Sequence, residues 1–221
     1  MKTTIKRPAG KRSDRRLIRN RKALLAAVEL LIAREGADRV TVDQITATAD
    51  LAKGTFYNYF SDKDAIAREA ALLARQDLEV RVRTAQARVQ DPAERFVIGM
   101  SVFFRAAAVE PNRAGVVARM YGRWLDPKAK GNVSLRRDLE DCYRSGRLSN
   151  CGPPAAVVLT VGVVQAGMTR VIALGDERAA LALAVEQCSL VLCALGMRWN
   201  EARALTAATV ARVFAAGWEI K

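Results

Sequence analysis

The segment Lys53–Lys63, KGTFYNYFSDK, sets two lysines and the hydroxyls of Thr55, Tyr57 and Tyr59 among four aromatic rings. The whole chain has only six Phe, four Tyr and three Trp. Hydroxyl and ammonium donors are the groups that bind phosphate oxygens. Phe56 and Phe60, four residues apart, share one helical face and belong in a core. Lys53 and Tyr57 share a different face, and Tyr59 lies near the helix end. Gly54 costs a short helix roughly 1 kcal/mol against alanine. Close approach of another backbone would offset that cost; an amphipathic helix that simply tolerates a glycine is the alternative. Lys63 falls in the first turn after a Ser61 cap, where the helix dipole disfavours a cation. A phosphate held jointly by that helix terminus and Lys63 would reverse the penalty.

Other chemistry is poorly provided for. The chain has no histidine, which removes Ser-His-Asp and Cys-His catalysis, His-ligated metals and imidazole acid–base steps. Cys142, Cys151, Cys188 and Cys193 have no spacing typical of a metal or redox motif. They read as reduced core thiols, with a sensing role the alternative. No catalytic residue, metal site or cofactor is expected, and the chain does not read as an enzyme.

These residues need helices to position them. Leu17, Leu24, Leu25, Val28, Leu31 and Ile32 recur at helical spacing, with Ser13 or Asp14 as a cap and Gly36 as the stop. Thr41 and Gln44 form a capping-box pattern ahead of Val42, Ile45 and Ala49. A turn at Asp50-Leu51 leads to a second short helix, about Ala52 to Phe60; Asp tolerates the left-handed backbone such a turn needs. Ser61, with Asp64 at the box position, opens a long helix to about Arg88. Two short helices across a tight turn, braced by longer ones, form a helix-turn-helix. Beyond Asp91-Pro92, longer apolar helices are punctuated at Pro111, 126–132, 150–154 and Gly175-Asp176; Asn200 caps a last helix that Gly217 ends. The expected fold is all-α: a basic flexible arm (1–13), a three-helix DNA-binding-type domain (14–62) and a larger helical domain (63–221).

The formal charge is +13. Residues 1–22 carry ten Lys or Arg against Asp14 alone, so this segment contributes +9 and the remainder +4. A basic arm before a folded domain is the electrostatic footprint of nucleic-acid binding, although a solvated tail would have the same composition. Two apolar runs are decoys. ALLAAVELLIA is interrupted by Glu29 and followed by no small-residue cleavage site. PPAAVVLTVGVVQAGMTRVIAL is broken by Gln165 and Arg170 before the roughly 20 apolar residues of a span. A cytoplasmic protein without a membrane role is expected, nucleoid-associated when bound to DNA.

Gly36, Thr41, Ile45, Ala49, Lys53, Gly54, Thr55, Tyr57, Phe60 and Lys63 resemble the pattern of the TetR family of bacterial transcriptional regulators. It runs as glycine, capping threonine, KGT-aromatic-Y and F-x-x-K over about 30 residues. Asp50, Ala52 and Thr46 depart from it, standing where a turn glycine, a small hydroxyl residue and alanine are usual. The resemblance implies a homodimer that sets two recognition helices in successive major grooves of a near-palindromic double-stranded operator. By position, Thr41, Tyr57, Tyr59 and Lys63 would contact phosphates. Gln44, Lys53, Gly54, Thr55 and Asn58 would touch bases or backbone, and Arg7, Lys11 and Arg12 of the arm would add contacts.

The family resemblance also implies that the larger domain dimerises and binds a small-molecule effector. Gly162 and Ala166 on one apolar helix, and Leu181, Val185, Cys188, Leu192 and Leu195 on the next, are the candidate dimer interface; filling the monomer core is their alternative role. Met100, Phe103, Phe104, Met120, Tyr121, Trp124 and Met168 are the large, adaptable side chains expected around a pocket. Arg105, Arg119 and Arg170 could face an anionic effector. The expected function is a ligand-responsive transcriptional repressor. A metabolite-binding helical dimer whose helix-turn-helix contacts protein is the other reading.

Overall fold

The computed structural model describes residues 10–119 and 125–217, without the side chains of residues 10–13. The described residues form ten α-helices and no strand. They divide into two compact units between Ala70 and Ala71, inside α4.

The smaller unit contains α1 (Gly10–Glu35), α2 (Val42–Thr48), α3 (Lys53–Tyr57) and the first turns of α4 (Lys63–Gln86). Leu24, Val28, Ile32, Ile45, Phe56 and Ile66 converge in its core, and Phe60 is buried beside them. The Phe56 and Phe60 rings lie 5.8 Å apart although α3 ends at Tyr57, short of the expected Phe60, because the Phe60 N–H still donates to the Phe56 carbonyl at 3.1 Å. Arg21 reaches over the Phe60 ring, 5.7 Å from its centroid, and pairs with Glu69 on α4. The helix begins by Gly10, so Ser13 and Asp14 fall inside α1 and do not cap it. Leu17 is exposed and leaves the apolar stripe: among the described residues, burial of α1 begins only at Asn20.

The turn between α2 and α3 takes the left-handed backbone expected at Asp50, with φ 52°. Thr46 is buried, and its hydroxyl donates to the Val42 and Asp43 carbonyls, satisfying a group that alanine would not bring. Ala52 caps α3 without any side-chain bond. Ala52→Ser should therefore stabilise the smaller unit by about 1 kcal/mol, since serine supplies the missing acceptor for a first-turn N–H. The shift of a urea unfolding midpoint measures it; no shift would mean that the helix start is satisfied another way.

The larger unit is built on α5 (Pro92–Val109), with Asp91 capping Ala93 N–H at 2.9 Å and Pro92 in the first turn. Around it stand α6 (Pro111–Arg119), α7 (Val133–Arg144), α8 (Pro153–Leu174), α9 (Glu177–Ala194) and α10 (Trp199–Ala215). Asn200 lies within α10, whose N-cap is Arg198. Gly175, at φ 62°, ends α8, and Asp176 accepts from Arg178 and Ala179 N–H to start α9. Phe96, Phe104, Leu139, Val157, Leu192 and Val210 mark the core.

Gly167 on α8 has a packing role. A Cβ there would overlap the fully buried Phe104 ring and the Gln187 side chain. Gly167→Ala should cost about 1–3 kcal/mol through overpacking, read as a lower midpoint in chemical denaturation. An unchanged midpoint would show that Phe104 moves freely.

Candidate nucleic-acid interface and C-terminal cavity

The capping box is formed. Thr41 Oγ1 accepts from Gln44 N–H at 3.2 Å, and Gln44 Oε1 accepts from Thr41 N–H at 2.8 Å. Gln44 Nε2 also donates to Glu35, at 3.1 Å. Both side chains thus work inside the free protein: the exposed Thr41 hydroxyl also donates to Gln44 Oε1 at 3.0 Å, so it must turn to meet a phosphate, and Gln44 must break a bond to read a base. Lys53 pairs with Asp43 at 2.7 Å, both being exposed, and the pair raises the Lys53 pKa. An exposed pair of this kind is worth little and is exchangeable for another anion.

Gly54 has open space where a Cβ would stand, so its face is free for approach and serves no internal packing. Tyr57 is 54% exposed, although its ring edge rests on Phe56 with centroids 5.3 Å apart. Asn58 is exposed, whereas Thr55 and Tyr59 are half-buried. Thr55, Tyr57, Asn58 and Tyr59 make no side-chain hydrogen bond among the described residues. The short α3 therefore presents Lys53, Gly54, Tyr57 and Asn58 outward, while Phe56 fastens it beneath.

Lys63 departs from the expected arrangement. The cap of α4 is Asp62, whose carboxylate accepts from Ala65 N–H at 2.7 Å and from Ser61 Oγ at 2.9 Å. These bonds hold the Asp62 carboxyl below its ordinary range. The stabilisation is present above the unfolded pKa and lost as pH falls through the folded one. Lys63 is thus the first helical residue, and its ammonium donates to the Asp38 carbonyl at 2.9 Å. An ammonium has three N–H donors, so this tether aims the group and leaves two for another acceptor.

Arg7 lies outside the described residues, as do the side chains of Lys11 and Arg12. The described start of α1 exposes Arg15, Arg16 and Arg19 instead, three cations that the motif reading missed. Their signal was the basic run itself.

In the larger unit, Met100, Phe103 and Met168 line a cavity between α4, α5, α7 and α8. Phe104 does not; it packs against Gly167 in the core. Met120, Tyr121 and Trp124 lie outside the described residues. The cavity's polar wall was not anticipated. Arg75 lies 4.6 Å from the Phe103 centroid and pairs with Glu79 at 2.9 Å. Burial lowers the Arg75 pKa and raises that of Glu79, with Arg75 opposing the latter. Asp138, Gln86, Thr160 and Gln165 complete that wall. Gln165 was legible only as a polar break in an apolar run. Arg105 donates to the Val213 carbonyl at 2.6 Å, away from this cavity, and Arg170 is exposed.

The expected dimer stripe needs correcting. Val185, Cys188, Leu192 and Leu195 are buried in the core of their own unit, and Leu181 is half-buried against it. Their spacing on α9 describes an inward face. Gly162 is half-buried with open space at its Cβ position, and Ala166 is exposed, so these two do face outward. They join Val158 and Leu159 on α8, beside Leu190 on α9 at 57% exposed. By length and composition α8 could also cross a membrane, with mean hydropathy 1.8 in a window that is 39% buried. Burial pushes the Cys142 and Cys188 thiols up to about 12, consistent with inert core cysteines. No group of His, Cys, Asp or Glu suited to a metal occurs among the described residues.

Comparison with known proteins bears on both units. Residues 24–70 match the family model for "Bacterial regulatory proteins, tetR family". No curated protein sequence matches the chain. Among solved structures, RolR in complex with the ligand resorcinol is similar at 23% identity. That match covers 88% of this chain and 96% of RolR, with TM-score 0.57. A gamma-butyrolactone receptor, described as ArpA-like, is similar at 16% identity, over 90% and 97% of the two chains, with TM-score 0.66. A TetR family transcription regulator from Marinobacter aquaeolei VT8 gives 17% identity, 84% and 100% coverage and TM-score 0.68. At these identities the likeness is one of fold, and it extends well beyond the helix-turn-helix. Residues 24–70 therefore carry the N-terminal domain of the tetR family of bacterial regulatory proteins.

Proposed function

We propose that this protein is a cytoplasmic transcriptional repressor that binds a near-palindromic operator as a homodimer and releases it when a small molecule occupies the C-terminal cavity. The observation that carries the reading is α3, five residues long, fastened by buried Phe56 and presenting Lys53, Gly54, Tyr57 and Asn58 outward. That face has the donors and the clearance that a major groove and its phosphates require. Tyr57, Tyr59, Thr41 and Lys63 take phosphates; Lys53, Gly54, Thr55 and Asn58 lie against bases or backbone. Gln44 joins them on leaving Glu35. The basic start of the chain, with Arg7 and, at the beginning of α1, Lys11 and Arg12, adds charge along the duplex.

Dimerisation uses the outward apolar face of α8 and α9: Val158, Leu159, Gly162, Ala166 and Leu190. Two copies of this face would form an isologous four-helix contact. Ligand occupancy acts by population shift, lowering operator affinity by its differential affinity for two spacings of the recognition helices. A structure of similar fold that holds resorcinol supports the presence of an effector. A gel shift with DNA flanking the protein's own gene tests the reading. A discrete retarded band that survives competitor DNA is expected; equal competition by any duplex would sink it.

A further inference from the structure

The helix-turn-helix is acidic within a basic chain. Residues 35–64 carry Glu35, Asp38, Asp43, Asp50, Asp62 and Asp64 against Arg39, Lys53 and Lys63, a formal −3, whereas the whole chain is +13. Charge alone sets such a segment against a polyanion, so attraction to duplexes in general must come from the basic start of the chain. Two of these acids have local work: Asp50 takes the left-handed turn and Asp62 caps α4. Glu35 and Asp43 are placed differently, each holding a side chain that faces DNA in the proposed complex.

Asp43 lies in the first turn of α2 and Lys53 is the first residue of α3, and their charged groups meet at 2.7 Å across the turn. Glu35, the last residue of α1, accepts from the Gln44 amide at 3.1 Å. The Asp43 side chain is 72% exposed, so burial does not force the pairing. Resting on the reading of α3 as the recognition helix, we propose that Asp43 is a specificity-determining residue. It neutralises Lys53 on duplexes at large and yields it only where the base sequence repays the opening.

A phosphate oxygen that accepts from Lys53 at ~2.8 Å sits within about 5.5 Å of the Asp43 carboxylate. Like charges at that range weaken binding by a factor of about two to four per protomer at low salt. Each phosphate that Lys53 neutralises also leaves a carboxylate unpaired, so a random duplex gains little from opening the pair. In the major groove a carboxylate can accept only from the amino groups of cytosine or adenine. Where the sequence sets such a group beside Asp43, the carboxylate is satisfied. Elsewhere it stays unpaired, which counts against the wrong site. The pair is exposed on both sides and therefore weak enough to open.

The test is a fluorescence-anisotropy titration of the full-length protein from 50 to 200 mM salt. Two duplexes are compared: the fragment flanking the protein's own gene, and the same bases scrambled. Asp43→Asn should bind the scrambled duplex about fivefold to tenfold more tightly at 50 mM salt. Its salt slope there should steepen by about 1–2 as the two lysines of the dimer are released. Affinity for the flanking fragment should rise less, so that the ratio between the duplexes falls. Asp43→Glu keeps the charge and should keep the wild-type ratio. The thermal midpoint should hardly move, because an exposed pair contributes little. Equal gains on both duplexes, or no gain on either, overturn the specificity role. Weaker binding to both with a lower midpoint overturns it too, leaving Asp43 a support for the start of α2. A wild type that holds neither duplex, or both equally, removes the operator reading itself before any variant is compared.

Discussion

Operator affinity should fall by about three to five orders of magnitude between 50 and 200 mM salt. That drop is expected when six to ten phosphates are neutralised, because log K falls by about 0.9 per released counterion. The dimer reaches this range if about three to five cations per protomer meet phosphate. Lys53 and Lys63 are positioned for it, and Arg15, Arg16 and Arg19 stand exposed at the start of α1. Two variants separate charge from mere donor contact. Lys63→Ala removes two cations per dimer and should flatten the slope by about 1.8. Tyr57→Phe removes one exposed hydroxyl and should weaken binding with the slope unchanged. Lys63→Ala also frees the Asp38 carbonyl, so helix content and thermal midpoint are measured alongside. A fluorescence-anisotropy titration at four salt concentrations reads all three proteins. A flat wild-type slope would remove direct phosphate contact from the mechanism.

The second large effect concerns assembly. Ala166→Arg places a charge on the exposed face of α8, where it touches none of the monomer core. The variant should sediment as a monomer with unaltered helix content, and operator affinity should fall by about 10²–10⁴ as the second half-site contact is lost. Leu192→Ala provides the contrast. This side chain is fully buried within its own unit, so its truncation should cost about 2–5 kcal/mol of stability without selectively dissociating the dimer. If Ala166→Arg remains dimeric, α8 is not the interface.

The contrast between these two residues shows where sequence reasoning stops. An apolar stripe at helical spacing announces a buried face, but not whether its own chain or a second one buries it. On α9, the inward face carries Val185, Cys188, Leu192 and Leu195, while the outward face carries Leu190 with Ala182, Glu186 and Ala194. Only the packing of α9 against α5, α8 and α10 distinguishes them. The capping box at Thr41–Gln44 was legible because both partners lie within one helical turn. So was the left-handed turn at Asp50, since few side chains tolerate that backbone. Lys63 was legible as an exception to dipole preference, yet its tether to Asp38 spans 25 residues and has no local signature.

Sequence by itself determined the helical class, the position of the helix-turn-helix and the residues that fasten α3. Each of these depends on neighbours one to four positions away, whose geometry the helix repeat dictates. Tertiary structure alone decided that Phe104 packs on Gly167 instead of lining the cavity. It also brought Gln86, Asp138, Thr160 and Gln165 to one wall from three helices. These arrangements depend on which faces meet across distant segments, and spacing along a single helix carries no record of that.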